Sequence, residues 1–308
     1  MAVMVTGGAG WIGSFVVSHL LERGEEVVAF DAAGDESRFV ASRHVKLAKG
    51  DILDFPALYD AIQGHGVDRV IHLAAIVQAD SHRNPRLVQS VNCGGAVNVM
   101  EAARLAGVRR FVFSSSTVVY GETTGPAVDE DHPTNPANSY AASKLLGELL
   151  LQQYHRLYGL DYVVLRFAHV FGPNKVKGTP VFKDLFEYPF RGEPYSLPEG
   201  GDHQFNWSYV KDCASAAVAA CFAPKLEHRV FNVCEGVLHS PRDIAHLIAG
   251  EIVPGARFEL GPGRLAGHPA EARVEIARAE RELDWKPRSM REACEDYLAS
   301  TKAARGRR

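Results

Sequence analysis

Thr6-Gly7-Gly8-Ala9-Gly10-Trp11-Ile12-Gly13-Ser14 follows an apolar run, Ala2–Val5, and opens a helical pattern, Gly10–Arg23. Glycines at 7, 10 and 13 permit a tight turn, close approach of backbone to a pyrophosphate, and close packing of helix on sheet. The start of such a helix faces the phosphates with free N–H groups and the positive end of its dipole. A glycine-rich turn alone is weak evidence, but this one has a strand before it and a helix after it. Asp31 closes the second apolar run (Val27-Val28-Ala29-Phe30-Asp31), eighteen residues beyond Gly13. A carboxylate there accepts hydrogen bonds from adenosine ribose hydroxyls and repels a 2′-phosphate. The nearest Arg downstream is Arg38, so the pattern favours NAD over NADP.

The rhythm continues outward from that turn. Strand candidates are Ala2–Val5, Glu26–Phe30, Val45–Lys49, Arg69–Leu73, Arg110–Ser114 and Tyr162–Phe167, with helical patterns at Pro56–Gln63, Leu87–Leu105 and Ser139–Tyr158. Alternation of this kind predicts an α/β fold, a Rossmann-type doubly wound parallel sheet covered on both faces. The strands read as continuous apolar runs, as strands buried on both sides should. After Gly172-Pro173 the rhythm breaks, and residues 174–206 read as a loop-rich excursion dense in Gly, Pro and aromatics. Trp207–Ala223 and Arg229–Val233 return to the sheet pattern, and short helices follow at Arg242–Ile248 and Met290–Ala299 around a Gly/Pro-rich stretch at 254–269. The expected layout is an NAD-binding domain over 1–172 and 203–236, with a small discontinuous α/β substrate-binding cap over 173–202 and 237–308.

Bulk properties exclude several classes. A net charge of −3 over 308 residues offers no electrostatic case for nucleic acid. The one basic run, Ala303–Arg308, reads as a frayed terminus or, less simply, a binding arm. The five cysteines form no Cys-x-x-Cys pair, which argues against a disulfide framework or a metal site. No stretch suits a leader or a membrane span, so a cytoplasmic protein with no membrane partner is expected. Gly-x-Ser-x-Gly and His-Glu-x-x-His are both missing, which argues against serine-hydrolase and zinc-hydrolase chemistry.

Tyr140 and Lys144 stand four apart in a predicted helix, so their side chains share a face. A fixed ammonium favours the phenolate and is expected to lower the Tyr140 pKa toward the working pH of a general base. That pairing suits removal of a hydroxyl proton while a hydride leaves the same carbon. Ser116, at the end of a strand run, reads either as turn chemistry or as a hydroxyl that holds the substrate oxygen.

Taken together these motifs resemble the extended short-chain dehydrogenase/reductase family, the nucleotide-sugar epimerase/dehydratase group. The resemblance runs through Gly50-Asp51-Ile52, His72-Leu73-Ala74-Ala75, Val91-Asn92-Cys93-Gly94-Gly95 and Phe113–Gly121. It continues through Leu165-Arg166, Gly172-Pro173, Tyr209-Val210-Lys211-Asp212 and Glu282–Pro287, nearly the whole chain. It implies a catalytic trio of Ser116, Tyr140 and Lys144. It implies cofactor contacts from Gly7, Gly10, Trp11, Ile12, Gly13, Asp31, Asp51, Ile52, Leu73, Ala74, Ala75, Asn92, Ser114, Tyr140 and Lys144. It sets Ser116, Thr117, His169, Phe205 and Arg264 on the substrate side, the last in a stretch that aligns loosely.

Departures from the family pattern narrow the chemistry. Family dehydratases carry Asp-Glu, and decarboxylases Glu, where this chain has Thr117 and Val118, so elimination and decarboxylation are not expected. Family members usually have Asn where His169 stands and a phosphate-binding Arg where Phe205 stands. Loss of an Arg fork removes a strong, directional phosphate contact. His169 is then either a pocket hydrogen-bonding group or a structural bridge between loops.

The expected function is NAD-dependent hydride transfer at a secondary hydroxyl of a sugar or sugar-like small molecule. Two outcomes stay open: a 4-epimerase of the UDP-sugar kind that retains NAD, or a dehydrogenase of a non-nucleotide polyol or hydroxy acid. A non-catalytic NAD-binding regulator would show damage to the trio, and all three residues are present. The family also implies a homodimer built from the helices around Leu87–Leu105 and Tyr140–Tyr158.

Overall fold

The computed structural model describes residues 1–33, 42–77, 84–123, 125–176 and 178–305, with side chains as far as 303. Arg38 and Gly306–Arg308 lie outside the described residues. Seven strands form one parallel sheet: β1 (Ala2–Thr6), β2 (Glu26–Asp31), β3 (Val45–Lys49), β4 (Val67–His72), β5 (Arg110–Ser116), β6 (Tyr162–Phe167) and, further on, β9 (Val230–Val233). Their spatial order is β9-β6-β5-β4-β1-β2-β3, so the chain winds outward from β1 in both directions. The order reverses beside β1, which opens a crevice at the carboxyl ends of β1 and β4.

Side-chain alternation explains the continuous apolar runs. Val3 and Val5 of β1 enter one buried cluster with Val27, Ala29 and Ile71, while Ala2 and Met4 enter another with Val28, Phe30 and Val70. Each strand therefore feeds two cores, one under each helical layer. The layers include α1 (Trp11–Glu22), α2 (Phe55–Gly64), α3 (Ala96–Leu105), α4 (Ser139–Tyr158) and α6 (Val210–Phe222). Asn138 starts α4 by accepting the Ala141 N–H at 2.9 Å, and Gly159 ends it in the left-handed region at φ 73°.

Two elements differ from the sequence reading. Leu87–Leu105 is not one regular helix: Pro85–Val88 passes into a π-helical segment, Gln89–Gly95, before α3 begins. The wide turn carries the buried Asn92, a common use of such an irregularity near a site. The excursion at 174–206 holds a ten-residue helix, α5 (Val181–Phe190). Phe182, Phe186 and Phe190 recur at helical spacing and are buried, which is the signal that Pro180 and Pro189 obscured.

These aromatics make a third core with Phe205, Trp207, Tyr209, Ile244 and Tyr297. Burial of each ring is worth roughly 1.5–3 kcal/mol. Trp11, Ile12 and Phe15 of α1 pack against this cluster, so the glycine turn is buttressed from the side that carries the small sheets. One of these sheets joins β7 (His169–Phe171), β8 (Phe205–Tyr209) and β10 (Leu238–His239).

Candidate active site

The crevice beside β1 is a cleft of about 500 Å³. Its floor is the glycine turn. Gly7 has φ +70°, its N–H donates to Phe30 O at 2.8 Å, and its carbonyl receives the Gly10 N–H at 2.9 Å. A Cβ on Gly13 would run into Gly7 O, so no other residue fits there without moving the turn. Gly10 caps α1 without any side-chain bond, and no acid stands in the first helical turn. The first amide N–H groups are thus available to an anion. Asp31 Oδ2 accepts the Ala9 N–H at 3.0 Å and Oδ1 the Ala33 N–H at 2.9 Å, which fixes its carboxylate at the cleft wall.

Ser114, Ser116, Tyr140 and Lys144 line the same cleft. β5 delivers Ser116, whose hydroxyl donates to Phe167 O at 3.1 Å. Ser116 also caps the one-turn helix Thr117–Tyr120, since its Oγ accepts the Val118 N–H at 3.4 Å. Lys144 donates to Ser114 O at 2.7 Å, and its Nζ lies 5.7 Å from the Tyr140 ring centre. Burial pushes Lys144 down to about 8, with the Glu148 carboxylate one helical turn away acting in the opposite direction. Tyr140 departs from the expectation: burial pushes its phenol up to about 12. Desolvation governs the phenol in the chain alone.

Beneath these residues lies a buried polar lattice. Arg166 makes a fork to Glu148, with Nε to Oε1 at 3.0 Å and Nη2 to Oε2 at 2.6 Å. Ser115 donates to the same carboxylate, and Arg166 Nη1 reaches Tyr120 OH at 2.9 Å. Tyr120 in turn donates to Asn232 at 2.7 Å, tying α4, β5, β6 and β9 together.

A second cavity of about 300 Å³ lies beyond Ser116. Thr117, Val118 and Asn138 line one part, and His169, Asn206, His268 and Glu271 line another. His169 Nε2 and Glu271 Oε1 are 2.5 Å apart, and Glu271 Oε2 accepts both N–H groups of Asn206 at 3.1 and 2.9 Å. His169 also stacks on Phe182 at 4.3 Å between ring centres. His169 thus lines the cavity and is tethered to Glu271 on a distant loop.

Against this geometry, the chain matches the NAD dependent epimerase/dehydratase family over residues 3–234. The chain belongs to that family. A UDP-glucose 4-epimerase from Mycolicibacterium smegmatis is 34% identical over 296 residues, which cover 93% of this chain and 94% of that protein. The crystal structure of the Thermus thermophilus UDP-glucose 4-epimerase complexed with NAD superposes with TM-score 0.86 and 30% identity, over 99% of this chain and 100% of the other. An L-threonine dehydrogenase from Cupriavidus necator superposes with TM-score 0.87 and 26% identity, over 98% and 100%. The chain is thus an NAD-dependent enzyme of the extended short-chain dehydrogenase/reductase type, with the Rossmann-type sheet of the epimerases. The glycine cradle, the uncapped helix start and the fixed Asp31 suit a dinucleotide.

Within this epimerase/dehydratase cleft the sequence-derived residues fall into three groups. Gly7, Gly10, Trp11, Ile12, Gly13, Asp31, Asp51, Ile52, Leu73, Ala74, Ala75 and Ser114 all line the cleft beside β1. Asn92 stands behind it, where its amide clamps both backbone groups of Ile76 at 2.7 and 3.0 Å and donates to Ser143 at 3.2 Å. On the substrate side, Thr117 and His169 line the second cavity. Phe205 is fully buried behind His169, 5.1 Å away between ring centres, and Arg264 is exposed on its loop outside the cavity lining. Of the seven aromatics that crowd the cap sequence (Phe182, Phe186, Tyr188, Phe190, Tyr195, Phe205, Trp207), none lines either cavity. Glu271, Asn206 and His268 escape sequence reasoning, since none belongs to a short motif and Glu271 lies 102 residues from its partner.

Proposed function

We propose that this enzyme transfers a hydride at a secondary hydroxyl of a sugar or sugar-like substrate, with Tyr140 as the proton-transfer group. One observation carries the reading: Ser116, Tyr140 and Lys144 line the same cleft as the glycine cradle. Ser116 orients the substrate oxygen, an entropic and electrostatic contribution. Tyr140 takes the hydroxyl proton and gives it back in the reverse direction. Lys144 holds positive charge beside the ring. Bound NAD supplies the hydride acceptor and a further positive charge, which opposes the effect of burial on the phenol. Asp31 would accept hydrogen bonds from the adenosine ribose of NAD, and the first amides of α1 would hold its pyrophosphate.

Relatives named UDP-glucose 4-epimerase support stereochemical inversion, with the cofactor retained through the cycle. The dehydrogenase likeness supports net oxidation as the second reading. Unfolding the purified protein separates them. Stoichiometric NAD released on unfolding marks an epimerase, whereas an empty site with NADH formed on a sugar panel marks a dehydrogenase. Tyr140→Phe tests the shared chemistry: turnover falls about 10²–10⁴-fold with NAD affinity kept. Turnover equal to wild type would sink the mechanism.

We also propose a homodimer and a cytoplasmic setting. Leu146, Leu149 and Leu157 on α4 and Leu105 on α3 are exposed, at 41, 52, 61 and 49%, which suits a helix-to-helix interface. The five cysteines are all free, as suits a reducing compartment. No helix among the described residues is long and apolar enough to cross a membrane.

A further inference from the structure

The second cavity has a wall of unusual chemistry for an enzyme whose relatives are named for nucleotide sugars. Glu271 is its centre, held by His169 and by both N–H groups of Asn206. Burial works to raise the Glu271 pKa, yet His169 and Asn206 outweigh it and hold the group below the ordinary carboxylate range. An ionised carboxylate therefore faces the cavity at neutral pH. Glu122, exposed at the rim, adds a second carboxylate.

His169 pairs with Glu271 directly, and the two other imidazoles nearby do not add to it. His203 Nδ1 accepts the Leu265 N–H at 3.1 Å, so its Nε2–H donates to Pro269 O at 3.1 Å and the ring is a neutral tautomer. That ring stacks flat on Phe205 at 4.2 Å, an apolar layer directly behind His169. Burial lowers the His268 pKa, which keeps that imidazole uncharged as well. Among the described residues, no Lys or Arg lines the cavity.

A phosphate group brought to this wall would meet like charge in a partly dehydrated setting, where such repulsion is strong. Hydroxyl groups would meet the opposite: carboxylate acceptors beside an imidazole and an amide. We infer that the substrate held against His169 and Glu271 is a polyhydroxylated compound without phosphate, such as a free sugar, a glycoside or a polyol. Glu271 accepts hydrogen bonds from its hydroxyls and orients His169 for a further one. The inference rests on the hydride-transfer reading and specifies the substrate class of the same site.

The test uses the full chain saturated with NAD. UDP and UDP-glucose are titrated calorimetrically to 1 mM, and D-glucose, D-galactose, methyl β-D-galactoside, myo-inositol and sorbitol are screened for NADH formation and for epimeric products. The expected result is no saturable binding of either nucleotide, and turnover of at least one unphosphorylated compound. Glu271→Gln should then raise the KM for that compound at least tenfold while NAD affinity holds. His169→Asn, which leaves Glu271 tied to Asn206, should move KM the same way and serves if the first variant does not fold. Saturable UDP-glucose binding below 1 mM overturns the inference, as does failure to turn over every unphosphorylated compound. UDP-glucose turnover that Tyr140→Phe abolishes would overturn the substrate class and leave hydride transfer standing. Turnover that survives Tyr140→Phe would strike the hydride-transfer reading instead.

Discussion

Replacement of Glu148 by Gln tests whether the lattice under the active site does more than hold the fold. Glu148 and Arg166 expose only 7% and 6% of their side chains, and the fork between them has two well-formed bonds. Removing one member of such a pair leaves a buried guanidinium uncompensated, a loss of about 3–5 kcal/mol. Arg166 keeps its bonds to Tyr120 OH and Glu130 O, so the lower half of that range is expected. A second effect follows from position. Glu148 stands one helical turn beyond Lys144 and favours its ammonium form against burial. Unit charges on adjacent helical turns, on the order of 6–8 Å apart at an effective dielectric near 20, interact by about 2 kcal/mol, enough to move a pKa by more than about one. If charged Lys144 is required, the alkaline limb of kcat/KM should move down by at least about one unit in Glu148→Gln. Urea unfolding measures the first effect and a pH–rate profile the second. The double variant Glu148→Leu, Arg166→Met should regain most of the stability, because neither charge is then left alone. A single variant that loses under about 1 kcal/mol and keeps its alkaline limb would refute the argument.

Three further expectations follow from other parts of the site. Gly13→Ala should weaken NAD binding at least about 100-fold, since its methyl collides with the Gly7 carbonyl that shapes the cradle; calorimetry showing wild-type affinity would contradict this. His72 is pushed down to about 3, chiefly by burial and then by Lys144, so the unfolded chain takes up its proton first as pH falls below about 6.5. Stability is therefore lost between about pH 6.5 and 3, about 2 kcal/mol of it between pH 7 and 5, and His72→Gln should remove that slope in urea titrations. Leu146→Glu with Leu149→Glu should convert a dimer to a monomer by light scattering, with the melting temperature held; an unchanged mass, or a wild type already monomeric, counts against the helix interface.

What can be read from the sequence divides along the range of the interactions involved. Ala2–Thr6, the glycine turn and α1 are legible because strand, turn and helix follow one another within twenty residues and each uses local rules. That the strands run parallel follows from alternation alone; their order does not. Legibility ends at the π-helical turn Gln89–Gly95 and again at α5, where Pro180 and Pro189 read as punctuation. Pro180 only caps the helix and Pro189 sits in its last turn, so neither prevents the Phe182, Phe186, Phe190 face from packing. Of the His169, Asn206, Glu271 cluster in the second cavity, only His169 stands out in the sequence, because Asn206 and Glu271 join it from another strand and a loop, and no period or motif links the three. The most instructive case is Tyr140. Its spacing from Lys144 is a helical property and is plain in the sequence, but the sign of its pKa shift depends on burial. Burial raises the phenol in the chain alone even though Lys144 shares its helix face. Bound NAD would add a second positive charge beside the phenol and would act with Lys144 against the burial that raises it.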